Sequence, residues 1–266
     1  MKKNYHILNG DSLKVQFPKQ ITGEIIIARE CFVDGDVRGA TLDELFKIRT
    51  KFITEFYGDH SIEDYYTNSV SEFERIQKIP DKSEINLWFE DDLFCQVNFW
   101  FTVYLILNST RECNVFLIRP DIHTQFGFGG LNELELVTIF KQKTQITELV
   151  EISNLWNSYQ KNDIEELIKV AKELETKYPF IYKAVEAHLD RIPSENNPGR
   201  PVQSLLDIMN ELETESFGTI FIEFNKRESI YGFGDLQVKR LYDQIINNRH
   251  NLYKKNKRNS LPYLLS

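Results

Sequence analysis

Apolar and polar positions along the chain change rhythm near residue 120. Before it, short apolar runs alternate with longer stretches of helical period. Tyr5-His6-Ile7-Leu8 is a β-type run stopped by Asn9-Gly10-Asp11-Ser12, and Gly23 to Ala28 is nearly all apolar and β-branched, as in a strand covered on both faces. Thr41-Leu42-Asp43-Glu44 spells a capping box and opens a stripe of Leu42, Leu45, Phe46, Ile48, Arg49, Phe52, Ile53 and Phe56 that closes near Gly58. A second helix is predicted over 62–79, stopped by Pro80. Glu84 to Phe89 and Cys113 to Ile118 have the pattern of third and fourth strands, with an apolar helix from about Asp92 to Leu107 between them. This alternation predicts an α/β fold: a Rossmann-like parallel sheet with crossover helices over residues 1–122.

Beyond Pro120 the β pattern fades into a helical region over 123–194. Gly127-Phe128-Gly129-Gly130 lacks the spacing of a phosphate-cradling loop and precedes an acidic helix turn, so a hinge is expected there. Asn132 with Glu135 caps a helix to about Lys141, and amphipathic segments follow over 147–159, 163–177 and 179–191. Ser194 to Arg200 is polar with Pro and Gly together, the clearest linker in the chain. A small winged-helix-like unit is expected over 195–266, with helices near 201–213 and 235–248 flanking Phe217 to Phe224, whose pattern fits helix or strand.

Charge and composition narrow the partners. A chain 41% hydrophobic and 13% aromatic is not globally disordered. A net charge of −8 gives no electrostatic reason for an anionic membrane or nucleic acid. The basic residues Lys239, Arg240, Arg249, Lys254, Lys255, Lys257 and Arg258 could touch a nucleic-acid backbone, but Glu211, Glu213 and Glu215 ahead of them favour a solvated tail. The longest apolar region, 94–107, is broken by Gln96 and Asn98 and is too short to span a bilayer, and the start has no apolar signal core. No membrane association and a cytoplasmic location are expected. Three widely spaced cysteines make neither a disulfide framework nor a zinc pattern, and no two of the five histidines stand at ligand spacing. His6 and His188 are expected in the core, and His123 is the histidine placed nearest the strand ends.

Four landmarks resemble a bacterial family known as domain of unknown function 1835. They are His6 to Ser12, Trp88 to Gln96, Gly127 to Leu131, and Tyr178-Pro179-Phe180 with His188 to Ser194. The second block is similar to a "W-F-E-H-D-L-Y-D-Q" pattern, with Asp91 in place of the His and Cys95 in place of the second Asp. The resemblance implies an α/β fold, a helix-turn-helix-like ending and a set of candidate residues; it implies no established activity.

Candidate chemistry gathers where strands of an open parallel sheet end, since ligands bind outside their carboxyl ends. Asn9, Gly10, Asp11 and Ser12 follow the first strand, Arg29 and Glu30 the second, Glu90, Asp91 and Asp92 the third, and Arg119 the fourth. Asp11, Glu90 and Asp92 could hold Mg²⁺ or act as acid–base groups, with Arg29 and Arg119 gripping a phosphate or carboxylate. Asn9, Gly10, Ser12, Glu30 and Gln96 would complete the ligand-binding set. In the competing reading the carboxylates pair with the arginines as a structural network, and Asp11 and Asp92 cap helices. Cys95 is expected to be buried and inert. Gly10-Asp11-Ser12-Leu13 also opens a serine-hydrolase motif, but no Asp-x-x-His follows anywhere to supply its base. The leading expectation is a cleft for a small phosphorylated or nucleotide-like ligand, with Mg²⁺-assisted hydrolysis or transfer. The alternative is a ligand-sensing or interaction protein whose last unit contacts DNA or protein.

Overall fold

A computed structural model describes residues 3–58, 61–109, 112–195 and 197–259, the last twelve of them by backbone alone. The chain opens with β1 (Asn4–Asn9), α1 (Ser12–Val15), β2 (Glu24–Ala28), α2 (Leu42–Phe56) and α3 (Ile62–Tyr65). A π-helical turn over Tyr66–Val70 joins α3 to α4 (Ser71–Gln77), so the helix expected over 62–79 is present with one wide turn inside it. Then come β3 (Glu84–Trp88), α5 (Leu93–Ser109), β4 (Asn114–Ile118), a 3₁₀ turn over Gly127–Gly130, α6 (Glu133–Lys141) and β5 (Thr144–Gln145). The remaining helices are α7 (Leu149–Lys161), α8 (Ile164–Leu174), α9 (Pro179–Asp190), α10 (Arg200–Glu211), α11 (Phe217–Arg227) and α12 (Asp235–Asn259).

The five strands lie in the order β2-β1-β3-β4-β5. The first four are parallel, with Leu8 beside Ile27 and Trp88, and Trp88 beside Ile118. β5 is antiparallel and only two residues long, which is why no strand pattern announces it. Both faces are covered. Leu8, Ile27, Trp88 and Ile118 pack with Phe128, Leu136 and Ile139 on one face, while α4 lies on β2 and α5 on β1 on the other. His6 is a core residue, as expected: its Nε2 bonds the Thr22 carbonyl at 3.3 Å and its Nδ1 accepts the Trp88 indole N–H at 3.2 Å. That leaves a neutral ring, and burial lowers its pKa further from the usual histidine range.

Caps set the helix starts. The Thr41 hydroxyl accepts the Glu44 N–H, but the Glu44 carboxylate reaches Ala40 N–H rather than that of Thr41. Asn132 and Glu135 form the full reciprocal box at α6. Among the described residues no helix is long and apolar enough to cross a membrane.

The chain divides into two compact units, Met1–His188 with Ile230–Gly232, and Leu189–Ser229 with Phe233–Ser266. The helices between Glu133 and His188 therefore belong with the sheet instead of forming a region of their own. In the second unit Phe217–Arg227 is a helix, and its only pairing outside helices among the described residues is the Ser194–Asn197 bridge. A winged helix carries a β-hairpin, and the described residues of this unit contain none. The side chains of Arg249, Lys254, Lys255, Lys257 and Arg258, and the whole apolar tail from Leu261, lie outside the described residues.

Candidate functional site

Strand order reverses between β1 and β3, and the loops leaving those two strands part there, which is where open α/β sheets form a crevice. Asn9 closes β1; Glu90 and Asp92 follow β3 and lead into α5. Asp92 caps that helix, its Oδ1 accepting the Cys95 N–H at 2.9 Å. An N-cap side chain that bonds the third helical residue draws that residue over itself, and here this brings a thiol onto a carboxylate. Glu90 is held from the other side by the Phe128 N–H, 2.6 Å from Oε1. Cys95 Sγ lies 4.0 Å from Glu90 Oε2, and one donor atom from each of Glu90, Asp92 and Cys95 falls within 4.8 Å of the others.

The cluster is tightly enclosed. Asp92 and Cys95 are buried and Glu90 is partly exposed. Gly127 and Gly232 each press their backbone onto it: a β-carbon at Gly127 would land on the Glu90 carboxylate, and one at Gly232 on that of Asp92. Gly127 also has φ +48°, where a side chain costs about 1–2 kcal/mol before any clash. Gly127→Ala is therefore expected to lower the thermal midpoint by several degrees while expelling Glu90 from its place. A midpoint unchanged within one degree would show that the 3₁₀ turn yields freely.

Burial pushes the Glu90 carboxyl up to about 7; the charge of Asp92, and to a lesser degree Asp91, adds to it against the Phe128 N–H. Asp92 is also raised, by burial first, against the Cys95 N–H and thiol and the nearby His123. The Cys95 thiol stands well above its usual value, through burial and then the two carboxylates.

Asp11 is exposed and makes no cap; both its oxygens bind Arg29, Oδ2 to Nε at 2.6 Å and Oδ1 to Nη2 at 2.7 Å. Arg29 holds its carboxyl below the usual range and also takes the Asn68 carbonyl in the π-helical turn. Glu30 is fully buried against Arg49, with Tyr65 OH and Cys31 N–H as further donors. Arg119 binds both oxygens of Asp91, at 2.6 and 2.5 Å, and covers the Phe180 ring. Arg29 and Arg119 are thus each paired with a carboxylate, as is Arg49 with Glu30, and the structure does not place Asp11 in the Glu90 cluster. Gly10 turns with φ +83° and Ser12 is an exposed first residue of α1. Asn9 donates to Cys95 Sγ at 2.8 Å and accepts from Asn98. Gln96 donates from Nε2 to the Glu90 carbonyl at 2.7 Å. His123 is exposed, in the loop after β4.

A cavity of about 430 Å³ opens at the carboxyl end of β4 and shares Gly127 with the cluster. Pro120, Ile122, Phe126, Leu131 and Ile139 give it apolar walls, and its charged residues are Asp121 and Glu135.

No family model matches the chain, and no curated protein matches it significantly. Fold and site define it as an α/β protein with a mostly parallel five-stranded sheet and an enclosed acidic cluster where strand order reverses.

Proposed function

We propose that the chain binds a small phosphorylated or nucleotide-like compound in the crevice beside Glu90, with a divalent cation on Glu90 and Asp92, and that hydrolysis or group transfer at that cation is its activity. One contrast carries this reading. Glu30, Glu72, Glu84 and Asp91 are buried or half-buried carboxylates, and each has an arginine or lysine on it. Among the described residues Glu90 and Asp92 have neither, and the one basic side chain that acts on Asp92 is His123. Two carboxylates so close do not both ionise unless something positive joins them, and hard cations take carboxylate oxygens at sites open to phosphates. The cation is also what a phosphate needs here, since Arg29 and Arg119 are engaged and the cavity's own charged residues are acidic.

Thermal unfolding against nucleotides and sugar phosphates, each with and without divalent cation, tests it. A ligand at a hundred times its dissociation constant adds about 2.7 kcal/mol. The expected shift needs the cation and disappears in Glu90→Gln and Asp92→Asn. A shift that survives both substitutions overturns the reading. So does no shift with any compound, which would turn attention to DNA or protein partners of the second unit.

A further inference from the structure

Resting on that cleft, the geometry points to a more specific occupant: we infer that Glu90, Asp92 and Cys95 form a three-ligand site for a thiophilic divalent metal of the zinc class, with its fourth position open to ligand. The site so assigned differs from an all-oxygen Mg²⁺ site by its sulfur. Mg²⁺ is hard and binds oxygen, whereas thiolate beside carboxylate suits Zn²⁺ or Co²⁺. Three protein ligands with one position open is the pattern of catalytic zinc. Tetrahedral zinc keeps O and S donors roughly 3.4–3.6 Å apart. The three donor atoms here lie within 4.8 Å of one another, so the widest pair has to close by little more than an ångström.

Two features outside the trio support the assignment. The first is the orientation of the sulfur. Asn9 at the end of β1 donates its amide to Cys95 Sγ at 2.8 Å, and Asn98 fixes that amide by donating to Asn9 Oδ1 at 2.8 Å while bonding the Glu30 carbonyl. A sulfur that accepts a hydrogen bond from a side chain itself held by a second one is arranged as metal-bound thiolates are. The second is Gln96, next in the chain and fully buried. Its Nε2 is anchored on the backbone carbonyl of Glu90, one of the three ligands, and its own buried Oε1 has no hydrogen-bond partner. A buried acceptor left unmet costs about 1–3 kcal/mol, and a water or ligand donor beside the Glu90 backbone would meet it.

Co²⁺ titration of the full chain, after removal of adventitious metal with a chelator, tests the site directly. The expected result is a near-ultraviolet sulfur-to-cobalt band with visible bands of tetrahedral intensity. Zn²⁺ should abolish them, and Mg²⁺ in large excess should not. Cys95→Ser should remove the sulfur band, while Cys31→Ser and Cys113→Ser keep it. Glu90→Gln should weaken Co²⁺ binding at least about ten-fold, and Asn9→Ala by about 10–100-fold with the band retained. Absence of the band in the unsubstituted chain, its survival in Cys95→Ser, or equal competition by Mg²⁺ overturns the assignment. The two proposals fail separately. A nucleotide shift with Mg²⁺ and no cobalt band leaves the cleft and removes the thiolate site; a cobalt band with no ligand shift does the reverse.

Discussion

Arg49→Met should cost about 3–5 kcal/mol of unfolding free energy, the range found when one member of a buried ion pair is removed. Arg49 and Glu30 have fully buried side chains. The guanidinium gives Nε to Glu30 Oε1 at 2.8 Å and Nη2 to Oε2 at 2.9 Å. It also donates to the carbonyls of Cys31, Asp34 and Asp36, and it lies 4.8 Å from the Phe52 ring centroid. Methionine fills much of the volume but takes the guanidinium donor from the Asp34 and Asp36 carbonyls, leaves the Cys31 carbonyl only the Asp34 N–H, and leaves Glu30 with only Tyr65 OH and Cys31 N–H. All three tryptophans, Trp88, Trp100 and Trp156, are buried in the first unit, so indole fluorescence follows that unit alone. With a slope of about 2–3 kcal/mol/M in urea, the midpoint should fall by roughly 1–2.5 M. Adding Glu30→Gln should recover part of the loss, because the uncompensated charge goes with it. A drop below about 1 kcal/mol would mean that water reaches Glu30 once the arginine is gone.

That pair also marks where sequence reasoning stopped. Strands β1 to β4, the cap at α6 and the polar strand ends were legible because each is a local pattern: an apolar run, an Asn followed three residues on by Glu, a cluster of polar residues after a strand. Glu90 and Asp92 are candidates by that route. Glu30 was assigned to a ligand, and Arg49 counted merely as one position of a helical stripe, because pairing across 19 residues depends on how α2 lies beside the end of β2. The same holds for Asp11 with Arg29 and for Asp91 with Arg119, whose partners sit on neighbouring strand ends. In the sequence Cys95 reads as a buried thiol whose neighbouring carboxylates oppose a lowered pKa, and zinc patterns are spacings of His and Cys. If Asp92 is an N-cap, residue 95 is the one whose N–H it binds, so Asp92 and Cys95 converge, whereas Glu90 is fixed by Phe128, 38 residues away. Phe217, Ile220, Phe221 and Phe224 follow the helical i, i+3, i+4, i+7 spacing, which decides the segment left open between helix and strand.

Glu90→Gln should stabilise the metal-free chain at pH 8 and leave it nearly unchanged at pH 4. Burial and Asp92 push the folded carboxyl up to about 7 from an ordinary 4.5. Between those two values the folded chain therefore keeps a proton that the unfolded chain releases. Stability falls as pH rises wherever the folded state binds more protons, so the loss begins near pH 4.5 and is complete above about pH 7. The whole effect amounts to about 3 kcal/mol, an upper figure because Glu90 keeps some contact with water. Glutamine has the same shape, its amide oxygen still accepts the Phe128 N–H, and it carries no charge at any pH. Parent and variant should match in thermal midpoint at pH 4 and separate progressively to pH 8, with a chelator present throughout. Parallel curves would show that Glu90 ionises freely, and then nothing in the crevice would favour a cation over water. Adding Zn²⁺ at pH 8 should invert the order, because a cation that binds only the folded parent stabilises it by mass action and the glutamine variant has lost one of the ligands that hold it.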